Sequence, residues 1–222
     1  MGKNKLAKLK EMETFEHVVQ VPFHTIHDSE FQFRGKWSEM FFQNQNPVVL
    51  ELGCGKGEYT VELAEKNPQV NFIGVDIKGA RLWKGAKMVA EKGLKNAAFL
   101  RTNIEIISRF FAPAEVDEIW LTFPDPQMKK TKKRLTSTSF LSEYRKFLKP
   151  EGIVHLKTDS NFQFTYTRTL VHLNQFEILA ETRDLYESDI LNETLQIKTF
   201  YEKQWLSRGI TIKYIAFRLH GN

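Results

Sequence analysis

Residues Val48 to Asp76 read "VVLELGCGKGEYTVELAEKNPQVNFIGVD". Three glycines, Gly53, Gly55 and Gly57, stand at alternate positions between an apolar run and an amphipathic one. A carboxylate lies near each end, Glu51 before the glycines and Asp76 after the second apolar run. "PVVLELG" predicts a short buried strand, and Tyr59, Val61, Leu63 and Ala64 give Gly57 to Lys66 a helical period. "VNFIGVD" predicts the next strand. The stretch therefore reads as a strand, a glycine turn and a helix, with an acid at the tip of the following strand.

Outward from it, the pattern repeats. "KGARLWKGAKMVAEKG" predicts a helix stopped by Gly93, "AAFLRTN" a strand, and "IEIISRFF" a short helix. "VDEIWLTFPDP" predicts a strand ended by two prolines, and "STSFLSEYRKFLKPEG" a capped helix with a Pro-Glu-Gly stop. "GIVHLKTD" and "NFQFTYTRTLVHLNQ" follow as strand and helix. "FEILAETRDLY" and "TIKYIAFRL" predict two closing strands around a helical "TFYEKQWLSRG". Alternating strands and helices predict an α/β, Rossmann-like architecture, a seven-stranded mostly parallel sheet with helices on both faces. Residues 1–46 lack a strong apolar period and read as a basic tail and irregular lead-in, with one helical turn near "KWSEMFF". The folded domain is expected to span 47–222.

Composition bounds the class. The chain has 222 residues, 41% hydrophobic and 27% charged, an ordinary globular mixture. Its single cysteine, Cys54, excludes an internal disulfide and a cysteine-based zinc site, and no metal is expected. The N-terminal stretch lacks the apolar run of a signal peptide, and no stretch approaches the roughly 20 apolar residues of a membrane span. A cytoplasmic protein without a membrane partner is the expectation. The net charge of +5 concentrates in the N-terminal lysines and in "KKTKKR", Lys129 to Arg134, where five of six residues are cationic. Such a run is either a solvated face or a phosphate-holding patch.

In a sheet of this kind, ligands bind beyond the carboxyl ends of the strands, where strand order reverses. Glu51, Asp76, Asn103, Asp125 and Asp159 all fall at or just past predicted strand ends. For Asn103, helix capping is an equal reading. The glycines let the backbone turn sharply and a ligand approach closely. A dinucleotide fingerprint needs G-x-G-x-x-G, but here the third glycine comes one residue early and Glu58 follows it, which disfavours NAD and FAD. The Lys-Ser or Lys-Thr pair of a P-loop is also missing, which disfavours ATP. E-x-G-x-G-x-G suits a cofactor without phosphate, S-adenosyl-L-methionine, whose cationic amino group and sulfonium favour a carboxylate such as Glu51. Asp76 is placed to accept ribose hydroxyls.

In "FPDPQMKKTKKRL" two prolines restrict the backbone on either side of Asp125, and cations begin four residues later. A fixed acid beside a basic patch suits a nucleic acid, cations holding phosphates and the acid meeting a base. "LELGCGKGEYT", "IGVDIKGAR", "FPDP" followed by lysines, "LKTD" and "TFYE" resemble, in order and spacing, the bacterial tRNA (guanine-N7)-methyltransferases from Val48 to the C-terminus. Phe-Pro-Asp-Pro differs from the Asp/Asn-Pro-Pro-aromatic motif of amino-group methyltransferases.

The resemblance implies a class I methyltransferase acting on N7 of guanine in tRNA, at guanine 46 of the variable loop, to give 7-methylguanosine. It places Glu51, Asp76, Asn103 and Asp125 on cofactor-contacting positions with Gly53, Gly55 and Gly57, and makes Asp125 the catalytic residue. Lys129, Asp159, Thr199, Tyr201 and Glu202 fall on substrate-contacting positions. Family members commonly follow the prolines with Trp-Pro-Lys-Lys and Arg-His, whereas Gln127, Met128 and Thr131 stand here, and Asn103 replaces a frequent aspartate. Two rival readings remain from the residues alone: a small-molecule methyltransferase, and an RNA-binding protein with a vestigial cofactor site. The sequence leaves monomer and homodimer open.

Overall fold

The structure is a computed structural model and describes residues 2–21 and 29–219. Its centre is an eight-stranded sheet: β1 (Val18–Gln20), β2 (Val48–Leu52), β3 (Asn71–Val75), β4 (Ala97–Arg101), β5 (Val116–Thr122), β6 (Leu148–Thr158), β7 (Ile178–Thr182) and β8 (Lys213–Arg218). Their spatial order is β1-β4-β3-β2-β5-β6-β8-β7. The pairs from β1 to β6 are parallel, and β8 runs antiparallel between β6 and β7.

Seven strands match the expectation. The eighth, β1, comes from the segment expected to be irregular and pairs Val18 with Phe99 and Gln20 with Arg101. At three residues it is too short to show a period. Part of that lead-in, 22–28, lies outside the described residues.

The helices are α1 (Gly2–Met12), α2 (Glu58–Lys66), α3 (Gly79–Lys92), α4 (Thr138–Tyr144), α5 (Asn161–Leu173) and α6 (Phe200–Leu206). Residues expected to form a basic tail thus make α1. Its Met12 is fully buried, and its Glu11 accepts a hydrogen bond from Trp83 Nε1 on α3 at 2.8 Å. The helix over "STSFLSEYRKFLKPEG" is only seven residues long, because Leu148 to Gly152 are already strand; the Pro-Glu-Gly stop sits where the β5–β6 register shifts. Helix ends carry the expected chemistry. Ser137, Ser160 and Thr199 each accept a backbone N–H at an N-terminus, and Gly93 closes α3 at φ +64°. Among the described residues no helix is long and apolar enough to cross a membrane.

Strand residues alternate between two cores. Leu50, Leu52, Ile73, Val75, Ile119 and Leu121 face a layer with Phe164, Val171 and an aromatic group around Trp37. Val49, Phe72, Phe99 and Trp120 face α2 and α3 through Tyr59, Leu63, Leu82 and Val89. Trp37 stacks on Phe111 and donates from Nε1 to the Phe110 carbonyl at 2.9 Å. Phe31, Phe33, Trp37, Phe41 and Phe42 of the lead-in therefore belong to the core. With every strand from β2 to β6 pointing one way, their carboxyl ends share one edge, and the order reverses between β2 and its neighbours β3 and β5.

Candidate active site

At that edge a cleft of about 510 Å³ opens, a volume ordinary for small-molecule sites. Gly53, Asp76, Asn103 and Asp125 line it together, with Thr102, Phe123, Leu135 and Phe140 among its walls. A smaller recess of about 110 Å³ shares Gly53, Arg81 and Phe123 with the cleft and reaches Glu51, Gly55, Thr199 and Tyr201. Four elements separated by up to 72 residues (125 − 53) thus converge on one cavity, as the strand-tip argument requires.

The glycine loop is tied to β3. Gly53 and Cys54 donate to the Val75 carbonyl at 2.8 and 3.1 Å. Asp76 holds the loop from the other side: one carboxylate oxygen accepts Gly55 N–H at 3.0 Å and the other Lys78 N–H at 2.8 Å. Each oxygen keeps a further lone pair directed by a fixed carboxylate plane. All three glycines have positive φ, +80°, +58° and +67°. Gly57 does not line either cavity. A Cβ there would fall 2.4 Å from Phe99 Cε1, so this glycine serves close packing of loop against sheet.

Glu51 lies under the loop, 4% exposed. Its carboxylate takes the Thr60 N–H at 2.9 Å and the hydroxyls of Thr60 and Thr122. Burial outweighs these donors and, with Asp76 nearby, pushes the carboxyl up to about 7. A carboxyl raised in the folded state binds a proton that the unfolded chain releases between its usual value and about pH 7. Folding is therefore penalised increasingly as pH rises across that window, by about 3 kcal/mol once complete. Replacing Glu51 by Gln removes this penalty. In urea unfolding, Glu51→Gln should gain about 2 to 3 kcal/mol relative to the parent between pH 5 and pH 8. A pH-independent difference would contradict it.

Asn103 starts the turn Ile104–Arg109 yet makes no side-chain cap bond, and it lines the cleft. The capping reading is not what the structure shows. Asp125 is exposed at the cleft rim, with one oxygen accepting Gln127 N–H at 2.9 Å. Thr199 caps α6 and, with Tyr201, borders the smaller recess. Lys129 is exposed on the following loop but lines neither cavity, and neither does Asp159, whose carbonyl accepts from Lys213 Nζ.

Glu202 is expected on a substrate-contacting position. It is fully buried, ion-paired to Lys157 Nζ at 2.8 Å and accepting from Tyr186 Oη at 2.6 Å. Lys157 also donates to the carbonyls of Leu195 and Ile197, so all three ammonium protons are used. Burial pushes the Glu202 carboxyl up and the Lys157 ammonium down, and their ion pair opposes both shifts. The pair and the two carbonyl bonds fasten α6 and the segment before it to β6 and so place Thr199 and Tyr201. Lys157 belongs to none of the sequence-predicted sites, although a lone lysine at the apolar end of "GIVHLKTD" is the available signal.

The cationic run also divides. Lys129, Lys130, Lys132 and Lys133 are exposed, Lys133 pairing with Glu105, but Arg134 is buried. Beyond it, Lys78 and Arg81 line the cleft and Lys56 lines the recess, where it lies 4.4 Å from the centre of the Phe200 ring.

The parallel core with β8 inserted antiparallel, and a glycine loop facing an acid at its switch point, define a class I methyltransferase. A solved structure titled as the 16S rRNA methyltransferase KamB shares this fold, with TM-score 0.63 and 15% identity over 82% of this chain and 91% of that one. The family described as "Putative methyltransferase" matches residues 45–215. A tRNA (guanine-N(7)-)-methyltransferase of Bacteroides thetaiotaomicron is 59% identical over 99% of this chain and 87% of its own length. One from Christiangramia forsetii is 56% identical over 98% of this chain and 99% of its own. The chain belongs to the tRNA (guanine-N7)-methyltransferase family.

Proposed function

We propose that the protein transfers the methyl group of S-adenosyl-L-methionine to N7 of a guanine in tRNA, guanine 46 of the variable loop, forming 7-methylguanosine. The observation that carries this reading is the meeting of Gly53, Asp76, Asn103 and Asp125 on one cleft beside an exposed lysine loop. The relatives that bear the tRNA (guanine-N7) name match nearly the whole chain. The residues present fit the donor. Asp76 offers fixed acceptors for ribose hydroxyls and Asn103 faces the cleft. Glu51 is a buried carboxyl that a nearby cation would draw into its charged form.

S-adenosylmethionine supplies an electrophilic methyl group on a sulfonium. Guanine N7 has an available lone pair and needs no general base, so the protein contributes alignment and electrostatic field. Asp125 accepts hydrogen bonds from guanine N1–H and the 2-amino group and stabilises the positive charge the purine gains. Asp159, at the neighbouring strand tip, is a second carboxylate for that charge. N7 sits in the deep, narrow groove of an RNA helix, so the target lies in a loop or loosened region. Lys129, Lys130 and Lys132, with Lys5, Lys8 and Lys10 on α1, hold phosphates.

Calorimetry tests the cofactor half. The parent should bind S-adenosylmethionine without RNA, and Asp76→Asn should weaken it by about tenfold or more. Absence of any binding heat, with tRNA affinity intact, would favour an RNA-binding protein with a vestigial site.

A further inference from the structure

The buried member of the cationic run does something its exposed neighbours do not. Arg134 is 5% exposed, and its side chain turns back under the Asp125 loop. Nε donates to the Pro126 carbonyl at 3.0 Å and Nη2 to the Met128 carbonyl at 3.3 Å. These carbonyls flank Gln127, which holds φ +48° and gives its N–H to Asp125. Phe123, two residues before Asp125, is also at positive φ, +50°. Non-glycine residues in this region cost of order 1 kcal/mol or more each and persist only when the surroundings hold them there.

The guanidinium also lies against α5. Its carbon is 4.6 Å from the Phe162 ring centre and 4.5 Å from that of Tyr166, the two rings lying 18° from parallel one helical turn apart. The residues after Arg134 are fastened to the same helix and its neighbour. Thr136 Oγ1 accepts from Gln163 Nε2 at 2.7 Å and from Thr167 Oγ1 at 2.8 Å, and Tyr144 Oη donates to the Leu135 carbonyl at 2.9 Å. Arg134 is thus the bridge between a fixed helix and a strained turn.

We propose that Arg134 is a positioning residue for the transfer: it clamps the Pro126 and Met128 carbonyls to the Phe162–Tyr166 shelf and so sets the place of the Asp125 carboxylate, rather than binding phosphate. The idea rests on Asp125 acting as proposed above. A planar guanidinium can lie against both rings while donating in its plane to two carbonyls; an ammonium keeps the charge and loses the fork.

Arg134→Lys tests this in the full-length protein with S-adenosylmethionine and unmodified tRNA. We expect kcat to fall roughly thirtyfold, since misplacement by about 1 Å can cost a hundredfold. KM for tRNA and the affinity for S-adenosylhomocysteine should stay within about threefold. A phosphate-binding role would instead raise KM for tRNA at unchanged kcat, and that result overturns the clamp. Phe162→Ala, at a partly exposed ring whose loss is mild for folding, should lower kcat in the same direction by a smaller factor. If Arg134→Lys does not fold, this variant decides, and parental kcat overturns the proposal. Millisecond amide exchange gives a readout independent of the reaction: Gln127 and Lys130 amides should exchange at least about tenfold faster in either variant. Parental exchange rates would sink the clamp, whereas faster exchange in the variants of a protein whose parent methylates no tRNA would sink only the assigned reaction.

Discussion

Asp125→Ala is expected to lower kcat by about a hundred- to a thousandfold while changing S-adenosylmethionine affinity by less than about tenfold. The size follows from removing a fixed charge aimed at the position where positive charge develops, the kind of group whose loss costs two to three orders of magnitude. The variant should fold. Asp125 is exposed, and its hydrogen bond to Gln127 N–H belongs to a turn that Arg134 also holds. Single-turnover rates on saturating tRNA, with calorimetry for the donor, separate the two quantities. Near-parental turnover would remove Asp125 from the reaction, and equal losses in rate and donor affinity would make it a binding residue only.

Reversing Lys129, Lys130 and Lys132 to Glu should weaken tRNA binding by roughly a hundredfold at low salt. The dependence of log affinity on log salt should become shallower by about 2 to 3, roughly one for each phosphate that a lysine no longer neutralises. These three are chosen because they are exposed and, unlike Lys133, make no ion pair with Glu105. With donor affinity unchanged, the loss belongs to the RNA. An unchanged salt slope would return the run to the solvated face that such a sequence more usually forms.

The strand-tip constellation was legible in the sequence because parallel strands put every post-strand residue on one edge. Once "PVVLELG", "VNFIGVD", "AAFLRTN" and "VDEIWLTFPDP" read as strands, Asp76, Asn103 and Asp125 had to be neighbours. The direction of a side chain within a polar loop was not legible. Arg134 sits at the end of a cationic run yet turns inward, because two carbonyls and two rings await it there. Glu202 follows an exposed Tyr201 by one residue, and a helix of seven residues turns it to the core and Lys157. β1 is three residues long and α1 is rich in lysine, so neither announces itself by period; both depend on tertiary pairing, with β4 and with α3. The short α4 is followed by a turn over 145–147, and Leu148 to Gly152, expected to end the helix, are drawn into β6.

Where the methyl group goes can be read directly. The protein is incubated with labelled S-adenosylmethionine and bulk tRNA lacking the modification, and the product is reduced with borohydride and cleaved with aniline. Label on purine N7 with strand scission at guanine 46 is the result this account predicts. Label on an exocyclic amine, or at any other nucleotide with guanine 46 left uncut, would contradict it.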